Sequence, residues 1–282
     1  MPRFVPVSAA VLLSVLAFAQ PKHEGNSPIP PYRIIGNIYY VGADDITAYL
    51  IATSAGDIVL NAGYEDTAPI VLNGIQKLGF KPRDVKILLN GQAHYDHVAG
   101  LKALQDATGA KIWSSEPEVA VLESGGAKDP RWGKEVTYPP VHVDHVVRDG
   151  ERLTLGGVTL VAHMTPGHSI GCTTWTMQVS DGGRQYDVVF VGGTTINPGV
   201  RLVKDPLWPG IAADYETAFR VLRSLHCDVF LGAHGAYYGM REKIRRMGGP
   251  VNPFIDPEGY RNFIDKSEKT FLDQVAAEKA GR

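Results

Sequence analysis

The chain has few cysteines, no excess of charge of one sign and no long apolar run beyond its N-terminus. Two cysteines among 282 residues cannot form a disulfide framework, so a hydrophobic core must stabilise the fold. The 28 Lys and Arg residues nearly balance the 30 Asp and Glu residues, and the net charge of -2 argues against a nucleic-acid-binding protein. The composition, with 44% hydrophobic and 21% charged residues, is instead typical of a packed globular protein.

The N-terminal segment has the pattern of a secretory signal peptide. Arg3 precedes a run of apolar or small residues from Phe4 to Ala19, which ends in an Ala-Phe-Ala cleavage pattern. This run is shorter than the roughly 20 residues that span a bilayer. We therefore favour a cleaved signal peptide over residues 1–19, rather than a membrane anchor or an apolar helix of the domain. Residues 20–282 would then form a periplasmic or secreted domain without a membrane span, if the signal acts in a bacterium-like cell.

Short β-type runs alternate twice along the chain with helical patterns. The runs are rich in Ile, Val and Tyr and are separated by Gly, Asp and Ser, which is typical of strands joined by turns. No linker or low-complexity segment divides the halves, so the pattern predicts one domain of mixed sheets covered by helices. The predicted strands are Arg33–Val41, Ile46–Ala52, Asp57–Asn61, Val85–Asn90, Lys111–Ser114, Val141–Val147, Arg152–Leu155, Thr159–His163, Cys172–Val179, Tyr186–Val191 and Asp228–Leu231. The predicted helices are Thr67–Leu78, Val98–Ala107, Glu116–Glu123, Tyr215–Ser224 and Pro257–Ala280.

The segment NGQAHYDH carries four potential metal ligands within six residues, directly after a predicted apolar strand. These ligands are Gln92, His94, Asp96 and His97. Loops at strand ends are where a rigid sheet can present a site, and neutral imidazole and carboxylate are suitable ligands for zinc. In an irregular turn, residues two apart can project to one side while the adjacent Asp-His pair diverges, so the loop could serve two neighbouring metals. The alternative is a polar loop with incidental histidines, but the spacing favours a metal site.

Two further histidines follow predicted strands in similar surroundings. His168 lies in a Thr-Pro-Gly-His-Ser segment, and His234 lies in a Gly-Ala-His-Gly segment. Small neighbours allow close approach to each of them. Either one alone would be interpreted as a structural histidine, but together with the first loop they complete a plausible set of ligands.

The segment His142-Val143-Asp144-His145 repeats the His-x-Asp-His spacing of the first loop. It lies inside an alternating apolar run, so we interpret its polar side chains as strand residues rather than ligands.

These segments together resemble the metallo-β-lactamase superfamily. Within it the chain is most similar to class B metallo-β-lactamases of the third subclass, which have a histidine directly after the motif aspartate; here that residue is His97. The segments Pro166–Trp175 and Leu225–Leu231 resemble that subclass as well. The resemblance implies an α/β (α+β) fold, an αββα sandwich in which two mixed β-sheets are flanked by helices. It also implies a zinc-dependent enzyme that opens the β-lactam ring of a small-molecule substrate, with hydroxide lying between the metals.

The resemblance assigns roles to individual residues. Gln92, His94 and His168 would form a first zinc site, and Asp96, His97 and His234 would form a second. Asp96 would also orient the nucleophile and relay a proton, so it is the predicted catalytic residue. Thr194 would contact the substrate carboxylate, whereas Ile196 stands where a second hydroxyl is usual.

Three departures from the family pattern lead to further expectations. Gln92 replaces the usual first histidine, and its neutral amide oxygen is a weaker zinc ligand than imidazole, so we expect one or two zinc ions with the first site weaker. Asn61 stands where an aspartate often supports the site. Cys227 matches a position that is often disulfide-bonded, but no cysteine follows it, so we expect Cys172 and Cys227 to be free thiols.

Two alternative functions stay open at this point. One is a different zinc hydrolase on the same fold, such as a lactonase or a thioesterase, because one fold hosts many chemistries. The signal-peptide pattern weighs against a cytosolic glutathione thioesterase, but the adjacent Asp96 and His97 do not discriminate between these enzymes. The other alternative is a non-catalytic metal-binding protein, for which the Gln92 replacement is the main support.

Overall fold

A computed structural model describes residues 23–133 and 135–281. The predicted signal peptide over residues 1–19 lies outside these ranges, so the signal peptide and the start of the domain at residue 20 stay predictions. Among the helices that fall within the ranges, none combines the length and the hydropathy that crossing a membrane requires.

The first sheet contains seven strands that lie side by side in chain order. Its first four strands pair antiparallel, and its last four pair parallel. Parallel strands need crossover connections, and helices supply most of them here. The strands are β1 (Tyr32–Ile35), β2 (Ile38–Tyr40), β3 (Tyr49–Ile51), β4 (Asp57–Leu60), β5 (Val85–Leu89), β6 (Lys111–Ser115) and β7 (His145–Val147). The helices between them are α1 (Ala68–Lys77), α2 (Tyr95–Val98), α3 (Leu101–Thr108) and α4 (Glu116–Glu123), with a 3-10 turn at Pro82–Asp84.

The second sheet contains five strands, which are antiparallel except for one parallel pair at its edge. Its strands are β8 (Arg152–Leu155), β9 (Val158–Met164), β10 (Thr173–Asp181), β11 (Arg184–Val191) and β12 (Val229–Gly232), in the spatial order β12-β11-β10-β9-β8. The remaining helices are α5 (Ile211–Ser224), α6 (Met240–Arg245) and α7 (Pro257–Lys279), with a 3-10 turn at Gly235–Tyr238.

Alternate side chains of the central strands divide between two hydrophobic cores. In β3, Tyr49 and Ile51 belong to the core between the two sheets, whereas Leu50 packs in the core beneath α1 and α3. On the far side, Phe219 of α5 and Phe271 of α7 pack with their ring centroids 5.7 Å apart and cover the second sheet. The layers are therefore helix, sheet, sheet and helix, which confirms the predicted αββα sandwich.

Two predicted elements are each divided in the structure. The predicted strand Arg33–Val41 is two strands, because the chain turns at Gly36, where φ is +52° and a Cβ atom would overlap the side chain of Val179. The predicted helix Val98–Ala107 is also wrong in extent. The backbone N–H of Gly100 donates to the carbonyl of Gly63 (3.0 Å) rather than to a helical carbonyl, so α2 ends before α3 begins.

Most other predicted elements are confirmed within one or two residues, with four exceptions. Helix α5 begins four residues before the predicted start, β3 begins three residues after it, β7 is shorter than predicted, and no prediction covers α6. Cys172 and Cys227 are both buried and free, as predicted.

Candidate metal centre

The predicted ligands come from loops that follow three strands at one edge of the sandwich. His94 follows β5, His168 follows β9, and His234 follows β12, while the loop after β11 borders the same place. Strands β11 and β12 are parallel, so their C-terminal ends lie at the same edge of the sheet. Strand β9 also ends at this edge, because β9 and β11 are both antiparallel to β10. An antiparallel bridge between Ile46 and His234 joins the two sheets at this edge. Sheet topology thus brings residues that are far apart in sequence to one site.

Asp96, His97 and His234 form the tighter cluster, with one ligand atom from each lying within 4.8 Å of the others. The Oδ2 atom of Asp96 is 3.1 Å from Nε2 of His97 and 3.4 Å from Nε2 of His234. The His97 side chain is 1% exposed. Its Nε2 faces Asp96 without hydrogen-bonding geometry, and neither of its ring nitrogens forms a hydrogen bond with a described residue. Buried polar atoms are almost always partnered, so this imidazole fits a metal ligand.

Gln92, His94 and His168 lie on the other side of the loop. The His94 and His168 rings meet edge to face with their centroids 4.8 Å apart. Gln92 is fully buried, and its Nε2 donates to the carbonyl of Gly192 (3.1 Å). Its Oε1 has no hydrogen-bond partner in the described part of the chain, so the amide oxygen is free to coordinate an ion. This donor set consists of one amide oxygen and two imidazoles, without a carboxylate. It is therefore weaker than the cluster of Asp96, His97 and His234.

The protonation states of the histidines differ between the two sets. Burial lowers the pKa of His94 to about 3 and that of His168 to about 4, so both are neutral near pH 7, the form that binds metal. Burial would also lower the pKa of His234, but hydrogen bonds to Asp45 and Asp96 raise it to about 9. A metal at His234 must therefore displace a proton.

Two of the histidine rings are oriented by acceptors behind them. Nδ1 of His168 donates to the carbonyl of Thr195 (2.6 Å), and Nδ1 of His234 donates to Oδ2 of Asp45 (3.0 Å). Each bond leaves Nε2 of the ring for a metal. Asp45 also accepts from the backbone N–H of Ala236 (2.7 Å), so it holds the ring and its loop together. Sequence reasoning missed Asp45, because it lies in the turn between β2 and β3 and no motif spacing marks it.

The region that contains these ligands matches a known family. A model of the metallo-beta-lactamase superfamily matches residues 41–234. The chain belongs to the metallo-beta-lactamase superfamily. All six candidate ligands, from Gln92 to His234, lie within the matched residues.

Solved structures and a curated relative agree with this membership of the metallo-beta-lactamase superfamily. The FEZ-1 metallo-beta-lactamase from Legionella gormanii is 42% identical, with a TM-score of 0.88 over 90% of this chain and 98% of that chain. BJP-1, a subclass B3 metallo-beta-lactamase of Bradyrhizobium japonicum, is 38% identical, with a TM-score of 0.85 over 91% of this chain and 97% of that chain. The hydroxyacylglutathione hydrolase GloC of Haemophilus influenzae is 26% identical over 188 residues, which are 64% of this chain and 81% of that protein. The resemblance to the third subclass is confirmed, and the protein is a hydrolase.

Asn61 supports the ligand loop of this metallo-beta-lactamase fold in place of the usual aspartate. Its side-chain Oδ1 accepts from the backbone N–H of Gly91 (3.0 Å), directly before Gln92. Asn61 has a φ of +67°, which asparagine tolerates better than most residues. Asn61 therefore supports the ligand loop through a hydrogen bond to its backbone.

Thr194 is placed differently from its predicted role as a substrate contact. It is 3% exposed, and its hydroxyl donates to Oγ of Ser267 on α7 (3.1 Å). The neighbouring Thr195 is exposed, and its Oγ1 lies 3.2 Å from Nδ1 of His168. Substrate binding by Thr194 stays a prediction, and the burial of its side chain disfavours it.

The repeated His-x-Asp-His spacing at residues 142–145 does not form a second site. The interpretation as structural side chains is confirmed, but the strand prediction is wrong for residues 141–144, because β7 begins only at His145. Each polar side chain has a separate partner: Nδ1 of His142 lies 2.8 Å from Glu123, Asp144 accepts from the backbone of Ile112 (2.9 Å), and Nε2 of His145 lies 2.5 Å from Glu151.

A cleft of about 180 Å³ adjoins His94 and Asp96. Aromatic side chains of Tyr95, Trp132 and Tyr138 line it. A larger groove of about 890 Å³ lies on the outer face of the second sheet, but none of the six candidate ligands lines it. A third cavity, of about 640 Å³, borders the site on the side of Asp45, Tyr64 and His234. Of these three cavities, the smaller cleft is the one lined by aromatic side chains next to both His94 and Asp96.

Proposed function

We propose that the protein is a zinc-dependent β-lactam hydrolase. The observation that carries this proposal is the convergence of six potential ligands at one sheet edge, in a chain 42% identical to a metallo-beta-lactamase over 98% of that chain. The unpartnered ring of His97 and the unpartnered Oε1 of Gln92 support zinc as the missing partner, since both are buried. The second site, formed by Asp96, His97 and His234, would fill with zinc before the other one. The first site, formed by Gln92, His94 and His168, would bind its ion more weakly.

Zinc, when bound, lowers the pKa of a coordinated water to about 7 and so makes hydroxide available at neutral pH. Asp96 is the residue that handles the proton. Burial alone would raise the pKa of Asp96, but the rings of His97 and His234 hold it well below its usual range. Its carboxylate is therefore ionised at neutral pH, so it would accept a hydrogen bond from the attacking hydroxide and orient it. After the attack, Asp96 would relay the proton of that hydroxyl group to the departing lactam nitrogen, which makes it the proposed catalytic residue.

The aromatic cleft beside His94 is the proposed place of the substrate. Tyr95, Trp132 and Tyr138 offer flat apolar surface for a bicyclic small molecule, and their packing keeps water away from the reacting bond.

Another zinc hydrolase activity is the second candidate. The 26% identity to a hydroxyacylglutathione hydrolase favours it, because the same site could open a thioester or a lactone. The lower identity and the smaller share of this chain that is matched make β-lactam hydrolysis the first choice.

The two candidates are separated by a hydrolysis panel with purified residues 20–282. Metal-free protein would be given increasing zinc and then a penicillin, a cephalosporin, a carbapenem, a lactone and a glutathione thioester. We expect β-lactam turnover that appears with zinc and disappears with a chelator, since zinc supplies the hydroxide in the proposed mechanism. Turnover of the lactone or thioester with every β-lactam left intact would replace the proposal by the second candidate.

Export through residues 1–19 would place this activity where β-lactams enter a bacterial cell, and so would confer antibiotic resistance. The expected mature N-terminus is Gln20, and N-terminal sequencing of the protein from the periplasm or medium measures it. Recovery of the chain with Met1 retained, inside the cell, would contradict export.

A further inference from the structure

Glu118 is a carboxylic acid buried beneath both ligand loops. It lies in the first turn of α4 and is 1% exposed, although it is ionisable. Burial raises the pKa of Glu118 to about 7, and hydrogen bonds from its neighbours oppose that rise. Burying a carboxyl group is unfavourable unless its oxygens are hydrogen-bonded, so its partners indicate what it does.

The partners of Glu118 are all neighbours of candidate metal ligands. The hydroxyl of Ser169, the residue after His168, donates to Oε1 of Glu118 (2.5 Å). The backbone N–H of Gly171 donates to the same oxygen (3.2 Å). The backbone amide of Ala93, which lies between Gln92 and His94, is near enough to this carboxylate to favour its charged form. One carboxyl group is thus hydrogen-bonded to the loop of His168 and lies near the loop of Gln92 and His94.

Further hydrogen bonds hold the loop after β9 against α4 and fix the loop after β5. The hydroxyl of Ser115 donates to the carbonyl of Gly171 (2.7 Å), and a Cβ atom at Gly171 would overlap both Ser115 and Glu118. The hydroxyl of Tyr138 donates to the carbonyl of Ala93 (3.0 Å). The peptide groups of Ala93 are therefore held on one side by Tyr138 and on the other by Glu118.

We infer that Glu118 is a positioning residue for the first metal site. It holds the loops that carry Gln92, His94 and His168 in one geometry. The inference rests on the proposed metal site but not on the substrate. A weak amide ligand makes this geometry more important, because a site with one poor ligand depends on the correct placement of the other two. Glu118 does not touch the candidate ligands themselves, so it acts through the backbone of Ala93 and through Ser169.

The first test compares Glu118→Gln, Ser169→Ala and Asp57→Asn with the wild type. Glutamine keeps the volume but replaces the charged acceptor of the bonds from Ser169 and Gly171 by a neutral amide, and Ser169→Ala removes one donor. Asp57 is the matched control, since it is also a buried carboxyl whose pKa is raised by burial, at the start of β4, away from the site. Zinc binding would be titrated against a competing chelator, and stability would be measured by urea unfolding. We expect both site variants to weaken zinc binding at the first site by about tenfold, while the Asp96 cluster changes by less than about twofold.

A second measurement needs no metal and no substrate. Imidazole NMR signals of the zinc-free protein report the placement of each ring. We expect the signals of His94 and His168 to move in Glu118→Gln and in Ser169→Ala, and those of His97 and His234 to stay. Unchanged signals of His94 and His168 in both variants would overturn the inference, as would the same changes in Asp57→Asn, which would indicate general loosening. Because neither readout uses a β-lactam, failure of the proposed activity would leave this result intact.

Discussion

The Gln92→His variant is expected to bind zinc at the first site about tenfold more tightly or better, which corresponds to about 1.4 kcal/mol. The reason is that imidazole is a stronger zinc ligand than a neutral amide oxygen, and position 92 is already buried in the ligand loop. Zinc per chain should rise from one to two at a zinc concentration where the wild type holds one. Elemental analysis gives the stoichiometry, and calorimetric titration gives the two affinities.

The control for Gln92→His is Gln76→His, which adds a histidine on the exposed face of α1. It should leave both the stoichiometry and the affinities as they are in the wild type. Equal zinc binding by Gln92→His and the wild type would show that Gln92 does not limit the first site.

The His97→Ala variant is expected to lose about a hundredfold in zinc affinity at the Asp96 cluster. Four-ligand zinc sites in peptides bind with about 10–16 kcal/mol, so one ligand contributes about 3 kcal/mol. A loss of this size equals about a hundredfold in the dissociation constant. Hydrolysis measured at limiting zinc should fall at least as far. Urea unfolding should show a larger loss of stability with zinc present than without it, because the unpartnered His97 ring stabilises the zinc-free protein little.

The control for His97→Ala is His142→Ala, which removes the first histidine of the repeated His-x-Asp-His spacing at residues 142–145. His142 is exposed and pairs only with Glu123, so zinc binding and hydrolysis should be unchanged. If His97→Ala retained the zinc affinity of the wild type, the cluster of Asp96, His97 and His234 would not be a zinc site.

The ligand loops could be predicted from sequence because their signals are local. Strand β5 is an apolar run, and the loop after it carries Gln92, His94, Asp96 and His97 within six residues, so both the element and its chemistry lie in one short segment. The αββα sandwich was likewise predicted from a resemblance that rests on short motifs. Pairing of β11 with β12 and of β9 with β10 then brings His168 and His234 to the same edge.

The parts that sequence reasoning missed depend on contacts between distant segments. Asp45 supports His234 from 189 positions away, and nothing in its own turn marks it as part of a site. Thr194 is buried and Thr195 is exposed, because the hydroxyl of Thr194 packs against Ser267 of α7. The sequence does not distinguish these adjacent threonines. Glu118 looks like an ordinary first-turn acid of a helix until the loops of Ala93 and Ser169 close over it.

The sequence alone identifies the residues that could bind a metal and the strand that precedes each of them. Both are local patterns of adjacent residues. The tertiary structure decided which residues hold those ligands still and which side chains of a loop reach the cleft. It separated His97, buried without a hydrogen-bond partner, from His142, which repeats the motif on the surface. The physical reason is that burial and hydrogen-bond satisfaction belong to the folded assembly of segments, and a local pattern carries no information about them.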